Sequence, residues 1–204
     1  EILKKAEDEM YQNKLSENKS SKSRIVQGLL NTLNAKSSET KQHAERMTKL
    51  ALSFGESLGL SNSELNRLSL LATLHDIGKT TISEDILTKP EKLIKKEWEI
   101  MKNHSEKGYK IALASEEFAA VADEILAHHE HWDGTGYPEG LKGDDIPYLS
   151  RIISIIDAYD VMTNYRPYSK AILKREALTE IKRCVGSQFD PELAVKFMEM
   201  IERL

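Results

Sequence analysis

The run IISIIDAYDVM, Ile152 to Met162, is apolar nearly all round at helical period. A helix with no solvated face belongs at the centre of a fold. Asp157 sits inside it, and a buried unpaired carboxylate is expensive. Either a structural salt bridge satisfies Asp157, or it shares a cation with other side chains. Outward from this run, the spacing predicts a helix over Pro147–Thr163, preceded by another over Glu116–His131. A long helix is expected from Ser38 to about Leu58, stopped by Gly59. Ser61-Asn-Ser-Glu64 has the form of a capping box and opens the next helix, with Leu65, Leu68, Leu71, Ala72 and Leu74 facing inward. Thr88-Lys-Pro-Glu91 reads as a second such start, and Asp190-Pro191-Glu192 caps the last helix. An apolar period also runs over Ile25–Leu33. Period-2 alternation between hairpin turns is almost absent, so the expected class is all-α.

The 204 residues allow one sizeable domain with an appendage, and the net charge of -4 supplies no basic field for a nucleic acid polymer. The single cysteine, Cys184, excludes a disulfide framework and fits a reducing, cytoplasmic setting; it reads as a semi-buried helix residue. No apolar run approaches the roughly 18 residues of a membrane span, so no membrane contact is expected from this piece. Residues 1–15 have helical rhythm and Ser16–Ser23 is a polar linker, which sets residues 1–23 apart from a domain over 24–204. The opening without Met reads as a cut from a longer protein.

The chain carries 6 histidines. Glu39 and His43, four apart, stack on one helical face, as half a metal site or as an exposed pair. In LHDIGK, Leu74 to Lys79, His75-Asp76 closes an apolar helix and Gly78 breaks it. Adjacent helical side chains point about 100° apart, so such a pair can address two metals, or one residue can bridge. His128-His129 repeats that geometry at the end of VADEILAHH. Imidazole with carboxylate suits iron, manganese, zinc or nickel. Two such ions about 3.5–4 Å apart are a usual device for in-line attack on a phosphodiester. Glu39, Asp76 and Asp157 bring about -3, so two divalent ions leave about +1 and three about +3, a local centre for an anionic substrate. Lys79 and Arg166 are available as donors to phosphate.

ETKQHAERM, LHDIGK, HSEKGY, HHEHWDGTGYPEGLKGDDIP, RIISIIDAYDVMT, RPY and GSQFDPEL together resemble the ordered signature of the HD-GYP domain. This is the branch of the HD phosphohydrolase superfamily that hydrolyses cyclic di-GMP. The match runs from about Ser38 to the C-terminus. The resemblance implies a helical HD bundle with a GYP loop and further C-terminal helices. It makes His75 and Asp76 the superfamily ligands, with His104, His128, His129 and Asp157 completing a two-metal set. Glu39 stands where some members add a glutamate for a third metal, with His43 as its partner. Two or three ions, iron or manganese, are implied. Asp76 and Lys79 take the catalytic positions, Lys79 and Arg166 contact substrate phosphate, and Gly136-Tyr137-Pro138 shapes the substrate entrance. The products implied are linear pGpG and, after a second cut, GMP. After RPY many members place a basic residue; here Ser169 stands there and Lys170 follows. His131 has no ligand role in the family. Some members bind ligand or partner proteins without cleavage, which is marked by ligand loss, and here the ligand set is complete. AEDEMYQNKLSENKS resembles the closing helix of a GGDEF domain, which implies such a domain upstream in the native chain. Dimerisation through the N-terminal helices is the expected association.

Overall fold

The computed structural model describes residues 28, 31–32, 41–165 and 170–203. The expected helix and linker of residues 1–23, Glu39, Arg166 and Ser169 lie outside the described residues. The helices are α1 (Lys41–Ser57), α2 (Asn62–Leu74), α3 (Glu84–Leu87), α4 (Lys95–Lys102), α5 (His104–Leu113), α6 (Ala122–Ala127), α7 (Tyr148–Thr163), α8 (Lys174–Arg183) and α9 (Pro191–Arg203). Short 3-10 turns lie at Ile77–Thr81, Ala119–Val121 and Gly143–Asp145. Among the described residues there is no strand, only an isolated bridge between Val185 and Phe189, and the class is all-α.

The apolar run around Asp157 becomes the axis of the bundle. α7 touches α1, α2, α6, α8 and α9. Ile152, Ile153, Ile155 and Ile156 have no exposed surface. Each such side chain contributes about 1.5–3 kcal/mol on leaving water. Around this axis Phe54 of α1 and Phe197 of α9 meet edge-to-face at 5.1 Å, with Tyr159 of α7 against Phe197 at 5.5 Å.

The helix ends follow local chemistry. Gly59 takes φ +74°, a left-handed conformation that ends α1 as expected. The Ser61 N–H donates to the Glu64 carboxylate at 2.8 Å, and the Glu64 N–H donates back to the Ser61 hydroxyl at 3.4 Å. Asp190 Oδ1 accepts from the N–H groups of Glu192 and Leu193 at 2.9 and 3.1 Å, capping α9.

Two expectations need correction. No helix starts at Thr88–Glu91; α4 starts seven residues later, because Glu97 accepts from the Ile94 N–H at 2.9 Å and so satisfies a helix-start donor there. Lys89, inside the supposed start, instead reaches Glu97 at 2.7 Å. The expected helix over Glu116–His131 is also broken up, into the 3-10 turn at Ala119–Val121 and the short α6. Val121 leaves helical geometry (φ -124°, ψ 13°), and His128 follows α6 as its C-cap.

Candidate metal centre

Most of the side chains of interest stand at helix ends, His75 and Asp76 after α2, His104 at the start of α5 and His128-His129 after α6, with His43 near the start of α1 and Asp157 within α7. His75 caps α2, its N–H donating to Leu71 O at 2.8 Å, and Asp76 leads into the 3-10 turn. That turn lies directly on the start of α5: a Cβ on Gly78 would fall 1.9 Å from the carbonyl oxygen of His104. Only glycine permits the approach, and the approach brings Asp76 to His104. A Cβ on Gly108 would likewise meet Ile125 at 2.8 Å, so α5 lies tight against α6 and its terminal His128. Gly78→Ala is expected to cost about 3 kcal/mol, since backbone rather than a pliable side chain stands in the way. A urea midpoint equal to wild type would contradict this packing argument.

The side chains form two groups. Ligand atoms of Asp76, His104, His128 and His129 lie within 4.8 Å of one another, as do those of His43, His75 and Asp157. Asp76 joins the groups. Its Oδ1 is 3.3 Å from His104 Nε2 and 3.9 Å from His128 Nε2, and its Oδ2 is 3.1 Å from His75 Nε2. Lys79 Nζ donates to the same Oδ2 at 2.8 Å.

The ring orientations show what these groups suit. Nδ1 of His75, His104 and His128 faces the carbonyls of Ala72, Met101 and Ile125 at 3.1, 2.8 and 2.6 Å. A carbonyl only accepts, so Nδ1 carries a proton, and a ring with that single proton turns its Nε2 lone pair inward. His104 Nε2 and His128 Nε2 then face each other at 3.3 Å beside a carboxylate. Inward lone pairs packed on a carboxylate repel one another, and a cation among them removes the conflict. Backbone carbonyls holding the outer nitrogen are the usual support of a metal-binding histidine. Burial, then the neighbouring imidazoles, push His128 well below the ordinary histidine value; burial, then His128 and His104, do the same to His129. Both are thus held in the neutral form that binds metal. Burial works to raise the Asp76 carboxyl, but its neighbours, the Lys79 ammonium foremost, outweigh it and keep it well below its usual range. Imidazoles and carboxylates in this arrangement fit divalent transition metals.

The family model described as HD domain matches residues 28–193. The chain belongs to the HD domain family. A cyclic di-GMP phosphodiesterase of Thermotoga maritima is 38% identical over 164 residues, covering 79% of this chain and 45% of the relative. A 3'3'-cGAMP-specific phosphodiesterase of Vibrio cholerae is 38% identical over 177 residues, covering 86% of this chain and 34% of the relative. This chain therefore spans less than half the length of either relative. The crystal structure of a cyclic GMP-AMP specific phosphodiesterase from V. cholerae superposes with a TM-score of 0.64 at 25% identity, covering 87% of this chain and 48% of that one. The helical HD architecture expected from the motifs is the architecture found.

Within the HD domain, several supporting residues were not anticipated. Asp160 is 1% exposed and accepts from His43 Nδ1 at 2.7 Å. Arg46 grips it at 2.6 and 2.9 Å. This turns His43 Nε2 toward Asp157, 3.7 Å away. The signal was present in the spacing: Asp160 follows Asp157 by three, and Arg46 follows His43 by three, each pair on one helical face. Asp160→Asn should weaken metal binding at the His43 group about tenfold, the lower end for loss of an orienting partner. Competition against a chromophoric chelator reads this directly, and an unchanged affinity would remove Asp160 from that role.

The loop after His129 folds back over the first group. Glu130 Oε1 accepts from the N–H groups of Glu139 and Gly140 at 2.7 and 3.1 Å, closing it. Gly136 passes so near that a Cβ would lie 2.2 Å from His131 N. Tyr137 then tilts over His129, ring centroids 4.9 Å apart at 32°, and burial pushes its phenol up strongly. Its peptide to Pro138 is cis. His131 faces outward to Thr135 Oγ1 at 3.0 Å and takes no part in either group. Further along, Arg151 binds Asp144 and Asp190 at 2.7 and 2.9 Å between the rings of Trp132 and Tyr148, pinning the loop to α7 and α9. A cavity of about 290 Å³ opens beside the centre, lined by His128, His129, Asp157, Met162 and Phe189 among others.

Proposed function

We propose that this HD domain is a metal-dependent phosphodiesterase that hydrolyses cyclic di-GMP to linear pGpG, with GMP as the product of a second cut. The observation that carries the reading is the pair of imidazole–carboxylate groups joined through the two oxygens of Asp76. Adjacent sites sharing one carboxylate are what a two-metal phosphodiester hydrolase requires. The T. maritima relative bears the name of that activity.

In this reading His75, Asp76, His104, His128, His129 and Asp157 hold two ions, iron or manganese, with His43 beside them and Glu39 available for a third. When bound, the ions supply an activated water and neutralise developing charge on phosphate oxygen. Lys79, on Asp76, directs its ammonium at the same space and braces a phosphoryl oxygen. Arg166 is assigned the second such contact. Gly136-Tyr137-Pro138 forms the rigid edge of the entrance and excludes water above His129. An upstream GGDEF domain, a dimer through the N-terminal helices and a cytoplasmic setting complete the proposal.

The test is direct. Protein purified without chelators is assayed for metal by elemental analysis, then incubated with cyclic di-GMP beside a chelator-stripped sample. Metal near two or three ions per chain, with linear pGpG formed only by the metal-loaded protein, is the expected outcome. Intact cyclic di-GMP after prolonged incubation of fully loaded protein would sink the reading.

A further inference from the structure

A line of rings leads outward from the His104–His129 group. His129 and Tyr137 lie 4.9 Å apart at 32°. Trp98 of α4 meets Tyr137 edge-on, at 6.2 Å and 80°. Tyr137 is half-buried, whereas Trp98 is 45% exposed. Ile94, the residue just before α4, is 59% exposed; four residues after Trp98 comes Lys102, whose Nζ lies 5.9 Å from the Tyr137 ring centroid and 2.9 Å from Glu99 Oε2. Lys95 and Lys96 stand on this helix too. The helix next to the metal ligands thus presents an indole partly open to water, with the Lys102 ammonium near Tyr137 and Glu97 and Glu99 flanking Trp98 in sequence.

An exposed indole is ordinarily a cost, and core packing does not account for this one, since α4 has no buried residue. An aromatic face beside cations is instead the device by which proteins hold nucleotide bases: the ring stacks the base while ammonium groups take the phosphate charge. A cyclic dinucleotide carries both features, with purines on either side of each phosphodiester. We propose that Trp98 stacks one purine of the bound cyclic dinucleotide while the neighbouring phosphodiester lies at the His104–His129 group, with Lys102 facing the ligand's remaining negative charge. This rests on the phosphodiesterase reading above. Every purine offers a π-face, so the contact adds affinity without choosing guanine over adenine.

Trp98→Ala and Trp98→Phe are compared with wild type in metal-loaded protein. Stacking predicts that Trp98→Ala raises KM for cyclic di-GMP about tenfold with kcat little changed, and that Trp98→Phe recovers most of the loss. The effect on 3'3'-cGAMP should match. kcat/KM for methyl p-nitrophenyl phosphate, which lacks a purine, should fall much less. Binding is read separately by quenching of tryptophan fluorescence on adding cyclic di-GMP, lost in Trp98→Ala. Turnover by wild type with KM unmoved in Trp98→Ala would overturn the stacking and leave the activity standing. So would a drop in kcat shared equally by all substrates, or an altered oligomeric state at unchanged KM, which would make Trp98 a structural or partner-facing residue. Quenching without cleavage would overturn the activity and leave the stacking. Neither quenching nor cleavage would overturn both.

Discussion

Asp76→Ala is expected to lower cyclic di-GMP turnover by about 10³-fold or more and to deplete metal from both groups at once. The size of the effect comes from position. Asp76 Oδ1 faces His104 and His128, and its Oδ2 faces His75 and Lys79, at 2.8 to 3.9 Å. It is 5% exposed, so bulk water does not replace the lost oxygens. Removing it takes away one ligand from each group and the negative charge that both groups share. Asp157→Ala is the informative contrast. Asp157 belongs to the His43–His75 group alone, so its loss should empty that group and spare the other. Elemental analysis of the two variants beside wild type separates these outcomes. An Asp76→Ala protein with wild-type metal content and turnover would show that the joined-group geometry is not the working centre.

Much of this site could be read in the chain because its signals are local. His75-Asp76 and His128-His129 are adjacent pairs at helix ends, and Asp157 is a carboxylate where only apolar residues should stand. Such features survive without any knowledge of tertiary contacts. The supporting set is different in kind. Glu124 is a buried partner of Arg67 from across the bundle, and Glu130 serves the backbone of Glu139 and Gly140. A glutamate in a list of residues does not announce a partner fifty-seven positions away. Gly78 reads as a helix breaker, which it is, yet its closer constraint is the His104 carbonyl pressed against it. Only the packing of α5 reveals that. The mistaken helix over Glu116–His131 has a related cause. Its apolar residues do face the core, with Phe118, Val121 and Ile125 at 2% exposure or less. But an unbroken helix would spread His128 and His129 around its surface, whereas the short α6 lets both follow its end toward Asp76.

Lys79→Ala is the second large effect, and it distinguishes a brace for substrate from a prop for Asp76. Lys79 Nζ is 2.8 Å from Asp76 Oδ2, with its side chain 16% exposed. One role is to neutralise Asp76, whose carboxyl it helps to hold low against burial. Divalent ions bound at the same carboxylate would take over that neutralisation, so a loaded protein would not need Lys79 to keep Asp76 ionised. An ammonium beside ligands that would already hold cations would add positive charge where like charge repels. In the proposed phosphodiesterase that cost is offset only when an anion enters, which is why the ammonium is proposed to meet phosphate. The expected result is therefore a kcat lowered about 10²–10³-fold, as for loss of one preorganised donor to a developing oxyanion, with metal content near wild type. If Lys79→Ala instead sheds metal as Asp76→Ala does, the lysine is a positioning residue for the carboxylate. Metal retention with unchanged kcat would remove it from the chemistry altogether, leaving Arg166 as the remaining candidate to meet the phosphoryl group.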